Sequence, residues 1–177
     1  MATTKWALDP THSELQFKVK HLMITTVTGS LKSFTAQLTS EGEDFNNAHV
    51  SFEADLASID TGNTDRDNHL KSADFFDAEQ FPKISFTSTS INQEGDDLDV
   101  KGDLTIKGVT QPATLKVEFG GIATDPWGNT KAGFTLSGKL NRSQFGLTWN
   151  AALETGGVMV SEDVKLVGEL QFVKEAE

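Results

Sequence analysis

Apolar and polar residues alternate along most of this chain. From Leu98 to Ile106, Leu98, Val100, Leu104 and Ile106 fall on one side and Asp99, Lys101, Asp103 and Thr105 on the other. A period of two places one face of a strand in a dry interior and the other in water. The same rhythm runs through Leu15, Phe17 and Val19, through Val27, Gly29 and Leu31, and then, after a change of phase near Ser33, through Phe34, Ala36 and Leu38. Such a phase change predicts a bulge. Further inward rows are Ala48 to Leu56, Ile84 to Phe86, Ala113 to Phe119, Ala132 to Leu140 and Val164 to Phe172. Turn signals separate most of them, among them Glu94-Gly95-Asp96-Asp97 and Asp125-Pro126-Trp127-Gly128-Asn129. Eight rows of this kind predict an all-β fold, and closure into an antiparallel barrel is the most complete way to hide strand edges.

An eight-stranded barrel is either filled by side chains or holds one small ligand. The inward rows carry Gly29, Ala36, Ala48, Ala54, Gly102, Ala132, Gly138 and Gly168. Two readings of these small residues stand side by side. They leave a void lined by Leu, Val, Ile and Phe that favours an apolar guest, or they relieve strand coiling in a packed barrel. In the hollow case the rows place Phe17, Val19, Phe52, Leu104, Leu115, Val117, Phe134 and Leu136 on the lumen wall, and a long, narrow cavity follows.

The segment Asn63-Thr64-Asp65-Arg66-Asp67-Asn68-His69-Leu70-Lys71-Ser72 departs from the alternation. Acids early, a lysine late and Asn63 or Thr64 as N-cap predict one short helix, roughly Thr64 to Ser72. Phe75, Phe76 and Phe81 follow before Pro82 restarts a strand.

At 177 residues the chain has the size of a single domain, 1–177, with room for a sizeable core. Its net charge of −11 and the lack of a clustered Lys/Arg footprint argue against nucleic acid and against an anionic membrane surface. The longest apolar runs are far too short to span a bilayer. With no cysteine, disulfides, thiol catalysis and Cys-based metal sites are excluded. The first residues show no apolar signal segment, so a cytoplasmic location is expected as the chain is written; a trimmed periplasmic protein given a new Met would read the same.

The candidate chemistry is sparse. His12, His21, His49 and His69 show no metal-ligand spacing, and neither a nucleophile elbow nor a Gly-x-x-x-x-Gly-Lys phosphate cradle is present. The densest ionisable group is Asp65-Arg66-Asp67 with His69, and Arg142 follows a strand end in Asn141-Arg142-Ser143-Gln144-Phe145-Gly146. Arg66, Asp67, His69 and Arg142 read as a polar collar around a barrel mouth, or else the acids favour the helix N-terminus while Arg66, and likewise Arg142, ties its loop to the barrel by hydrogen bonds. No catalytic residue, metal or cofactor is expected.

The opening from Trp6 to His21, the stretch from Ile59 to Ser72 continuing through Asp74-Phe75-Phe76-Asp77 to Phe86, and the later segments Gly102 to Thr110 and Asn141 to Gly146 together resemble the YceI-like, polyisoprenoid-binding family. The resemblance spans nearly the whole chain in order. It implies an extended, lipocalin-like antiparallel barrel of eight strands with a capping helix, often dimeric, whose lumen is associated with polyprenyl phosphates or the isoprenoid tails of quinones. It implies no established catalysis, and many members carry a signal peptide, which the first residues here give no reason to expect. A carrier or sequestering protein for a long apolar lipid, working as a homodimer, is therefore the expectation. Two alternatives remain: a lipid-modifying enzyme using Arg66, Asp67 or His69, and a solid, stress-related interaction barrel.

Overall fold

Most consecutive strands pair with each other, several of them through tight turns that fold one strand back on the last. The computed structural model describes residues 3–22, 24–147 and 160–175. Its strands are β1 (Thr3–Leu8), β2 (Glu14–His21), β3 (Thr25–Leu31), β4 (Phe34–Glu41), β5 (Asp44–Asp55), β6 (Ile59–Asp60), β7 (Lys83–Glu94), β8 (Asp97–Ile106), β9 (Val109–Thr124), β10 (Thr130–Asn141) and β11 (Val160–Lys174). One α-helix among the described residues, α1 (Thr64–Lys71), lies between β6 and β7.

All pairings are antiparallel. The order β1-β4-β5-β7-β8-β9-β10-β11 returns to β1 and closes an eight-stranded barrel. β11 is long enough to serve two partners: Phe172–Lys174 pair with β1, and the stretch before them, down to Val160, with β2. β1 and β2 are thus one long strand interrupted by a turn at 9–13. β3 and β4 are likewise interrupted at Lys32-Ser33, where the phase change predicts a bulge, and β5 and β6 at Leu56–Ser58. The breaks lean on one another. Lys32 N donates to Ser58 O, Asp55 N to Ser33 O, and the Ser33 hydroxyl to the Asp55 carboxylate at 2.9 Å.

The two ends differ. At the floor, which carries the β4–β5, β7–β8 and β9–β10 hairpins, the ring is complete. Phe45 packs against Trp6 (5.7 Å between ring centroids), Phe119 (5.2 Å) and Phe134 (5.2 Å), and Phe134 reaches Phe172 at 5.8 Å. The Trp6 indole N–H donates to the buried Ser40 hydroxyl at 2.9 Å, so even its polar atom is satisfied. At the mouth the ring is open, because β3 pairs with β6 and β6 has no β7 partner among the described residues. Helix α1 and residues 72–82 cover that gap. Asn63 caps the helix as the sequence predicts, its side chain accepting from Arg66 N at 3.0 Å.

The glycines do not hollow the barrel. Gly29 lies directly across from Phe17, whose ring occupies the space a side chain there would need. The Phe86 ring does the same over Gly102, and a Cβ at Gly138 would stand 2.8 Å from Leu115. Aromatic and leucine side chains fold over these glycines and use their volume. Ala36 and Ala48, by contrast, do face an open space.

Candidate functional site

Two chambers lie end to end inside the barrel. The upper, beneath the mouth, has a volume of about 450 Å³; the lower, above the aromatic floor, about 160 Å³. All eight residues that the inward rows place on the lumen wall line one or the other. Phe17 and Val19 belong to the upper chamber; Phe52, Leu104, Leu115, Val117, Phe134 and Leu136 belong to the lower. The lower chamber is lined by apolar residues throughout. The upper has an apolar wall and a polar rim of Lys20, His21, Asp65, Arg66, His69 and Arg142.

The polar groups at the mouth are held mainly by one another and by the backbone. Arg66 donates from Nε to the Thr61 hydroxyl (2.8 Å) and from Nη2 to the Thr61 carbonyl (2.6 Å). Asp67 does not line the chamber. Its carboxylate accepts from Thr61 N at 2.8 Å and from the Thr61 hydroxyl at 2.6 Å. These two bonds tie the helix to Thr61, a role the sequence reading gives to Arg66 and not to Asp67. Together Arg66 and Asp67 clamp α1 to the end of β6.

His69 and Arg142 meet across Phe75. The imidazole lies edge-on to that ring with centroids 5.0 Å apart, and the guanidinium carbon sits 6.0 Å from the ring centre on a cation–π contact. His69 Nε2 is 3.0 Å from the Asp74 carboxylate. Arg142 is 6 % exposed, and burial pushes its pKa below the ordinary guanidinium value, though such a group keeps its charge in proteins. It donates to the carbonyls of Leu147 (2.7 Å), Ser161 (2.9 Å) and Val160 (3.3 Å), and so joins the end of β10 to the start of β11.

Sequence reasoning missed the rest of the upper wall. Ile59, Leu70, Phe75, Phe76, Phe145 and Leu147 line it, and they come from the short β6, the helix and the turns. The available signal was the group Phe75, Phe76 and Phe81 directly after a polar helix, since aromatic residues there need something to cover.

The arrangement offers shape and apolar surface rather than a reactive group. The described lining of the upper chamber contains no Ser, Thr or Cys beside His69. The nearest thing to a Ser–His pair is Ser88 with His49, 3.1 Å apart. Neither residue lines a chamber, and the Ser88 hydroxyl already accepts from Val50 N at 2.9 Å, which makes this a device of the β5–β7 wall. Among the described residues no helix is long and apolar enough to cross a membrane.

Comparison with known proteins places this architecture. A UPF0312 protein of Staphylococcus epidermidis is 44 % identical over 170 residues, 96 % of this chain and 97 % of that one, and a UPF0312 protein of Staphylococcus aureus is 41 % identical over the same span. The crystal structure of Burkholderia cenocepacia BcnA superposes with a TM-score of 0.79 at 25 % identity, covering 93 % of this chain and 98 % of BcnA. A Campylobacter jejuni YceI protein superposes at 0.77 with 32 % identity over 89 % and 90 % of the two chains. A polyisoprenoid-binding domain from Saccharophagus degradans shares the fold, with a TM-score of 0.67 at 16 % identity over 96 % and 98 % of the two chains. The model of the YceI-like domain matches residues 6–172, and the chain belongs to that family.

Proposed function

We propose that this protein binds the tail of one long apolar lipid of isoprenoid type, such as a polyprenyl phosphate or an isoprenoid quinone, and acts as its carrier or sequestering partner. The observation that carries the reading is the pair of stacked apolar chambers, open to a polar rim at one end and stopped by aromatic rings at the other. The part of a tail that enters from the mouth leaves water, and the rest of a long one stays outside with the head group. Each buried CH₂ contributes about 0.8 kcal/mol, so affinity comes from the tail and needs no strong polar contact. Lys20, His21 and Arg66 at the rim suit a polar or anionic head group left at the surface. Among the described residues that line the upper chamber no Ser, Thr or Cys stands beside His69, and a fold shared with a domain described as polyisoprenoid-binding supports binding over turnover. Dimerisation and a soluble, non-spanning existence belong to the same proposal.

The test is displacement of a fluorescent fatty acid by an isoprenoid quinone, from the parent protein and from Val164→Phe. Val164 lines only the upper chamber, so bulk there fills the space the tail needs. The variant should melt within about 1 kcal/mol of the parent, whereas overpacking a filled core costs about 1–3 kcal/mol. Its affinity should fall at least tenfold. Unchanged quinone binding by the variant, or none by the parent, would contradict the proposal.

A further inference from the structure

Five residues line both chambers: Leu31, Ile84, Ile106, Leu140 and Leu166. They come from five different strands, β3, β7, β8, β10 and β11, and form an aliphatic belt across the lumen. Leu31, Ile84 and Ile106 are buried, so the belt is packed against its surroundings. At Leu31 it touches a strand break, since Leu31 is the last residue of β3 and pairs with Ile59 just beyond the break at Leu56–Ser58.

We infer that this belt selects ligands by tail length, an inference that rests on the tail-binding reading above. The lower chamber, at about 160 Å³, is close to the ~150 Å³ apolar void that takes a single benzene-sized guest. It therefore suits about one five-carbon unit. The upper chamber is nearly three times larger and suits about three such units. The first three units of a tail meet open space. A fourth has to move packed, branched side chains out of the way, and such overpacking costs stability that its own burial must offset. Beyond it, Phe45, Phe134 and Phe172 block the floor. Belt side chains, and Ile106 and Ile84 in particular, are thus specificity-determining residues for tail length.

The test titrates prenyl alcohols of two, three, four and five isoprene units against the full chain, by displacement of a fluorescent fatty acid. In the parent protein, affinity should rise at least tenfold per unit up to about three units, with a fourth unit adding less than about threefold. Ile106→Ala should leave the three-unit affinity within about threefold and restore a gain of at least tenfold at the fourth unit. Ile106→Val and Ile84→Val, which remove one methyl group each, should move in the same direction and guard against a folding defect in the larger truncation. A steady gain through five units in the parent would overturn the length-selecting role. So would a plateau at the same length in all three variants, while tail binding itself stood. No binding of any alcohol by the parent would instead overturn the tail-binding reading, and the belt proposal with it.

Discussion

The floor and the mouth of this barrel use the same strands in different ways. At the floor every strand has two partners, and the space between them is filled by Trp6, Phe45, Phe119, Phe134 and Phe172. At the mouth, three of the long strands are broken, β6 leaves the ring open, and a polar helix with no fully buried residue covers the gap. Hydrogen bonds and ion contacts replace packing there: Thr61 held by Arg66 and Asp67, His69 by Asp74, and the β10 and β11 ends by Arg142. Aromatic packing stabilises the floor at the expense of any opening. Tying a lid through a few polar bonds leaves an apolar chamber beneath it and allows local opening without disturbing the rest.

The largest effect should come from the floor. Trp6→Ala is expected to lose about 3–5 kcal/mol in chemical denaturation, because a fully buried ring and its indole hydrogen bond disappear together. Phe75→Ala, at a buried position on the chamber wall, should lose less than half of that, since the ring borders space that already exists. Equal losses would erase the contrast between the two ends.

Next comes Arg142→Met. It leaves the carbonyls of Leu147, Val160 and Ser161 without their donor and should cost about 2–4 kcal/mol. Amide exchange should quicken at the β10 and β11 ends while the floor hairpins stay protected. A smaller cost, about 1–2 kcal/mol, is expected for Asp67→Ala, which removes two bonds to Thr61. Exchange should rise across α1, with floor protection and melting cooperativity retained.

The smallest effect is a pH dependence at the turn between β1 and β2. Asp9 accepts from the Thr11 hydroxyl (2.6 Å) and amide (3.0 Å), lies 2.8 Å from His12 Nδ1, and has Lys131 Nζ at 3.5 Å. The Thr11 and His12 hydrogen bonds hold its carboxyl well below the usual carboxylate range. The carboxylate's contribution is present in full above the ordinary value, near 4, and is lost as pH falls below it toward the native value. Asp9→Asn should therefore be less stable than the parent by about 1 kcal/mol at pH 7, and the gap should close in melts run at decreasing pH below about 4. A gap that widened in acid would reverse the sign of this account.

The alternating rows made the barrel legible because each inward residue reports its face by position alone. The phase change at Ser33, the N-cap at Asn63 and the lumen positions from Phe17 to Leu136 could all be read locally. Closure could not. β1 is six residues long, places Thr4 inward beside Trp6, and matters only because Phe172–Lys174 and Gln37–Glu41 pair with it from distant parts of the chain. The glycines left two readings open for the same reason: the rings over Gly29 and Gly102 come from other strands, and a row shows only its own volume. Most of the upper chamber's missed wall lies in turns and a helix, where period two has no meaning. Arg142 was visible as a basic residue after a strand, but its burial against three carbonyls depends on the approach of β11.

Whether the upper chamber holds an apolar tail is decided by native mass spectrometry of the gently purified full chain. The account predicts a bound species heavier than the apoprotein by the mass of one prenyl or similarly long-chained lipid, lost on organic extraction and regained when an isoprenoid quinone is added. Apoprotein alone, both as purified and after incubation with the quinone, would contradict it.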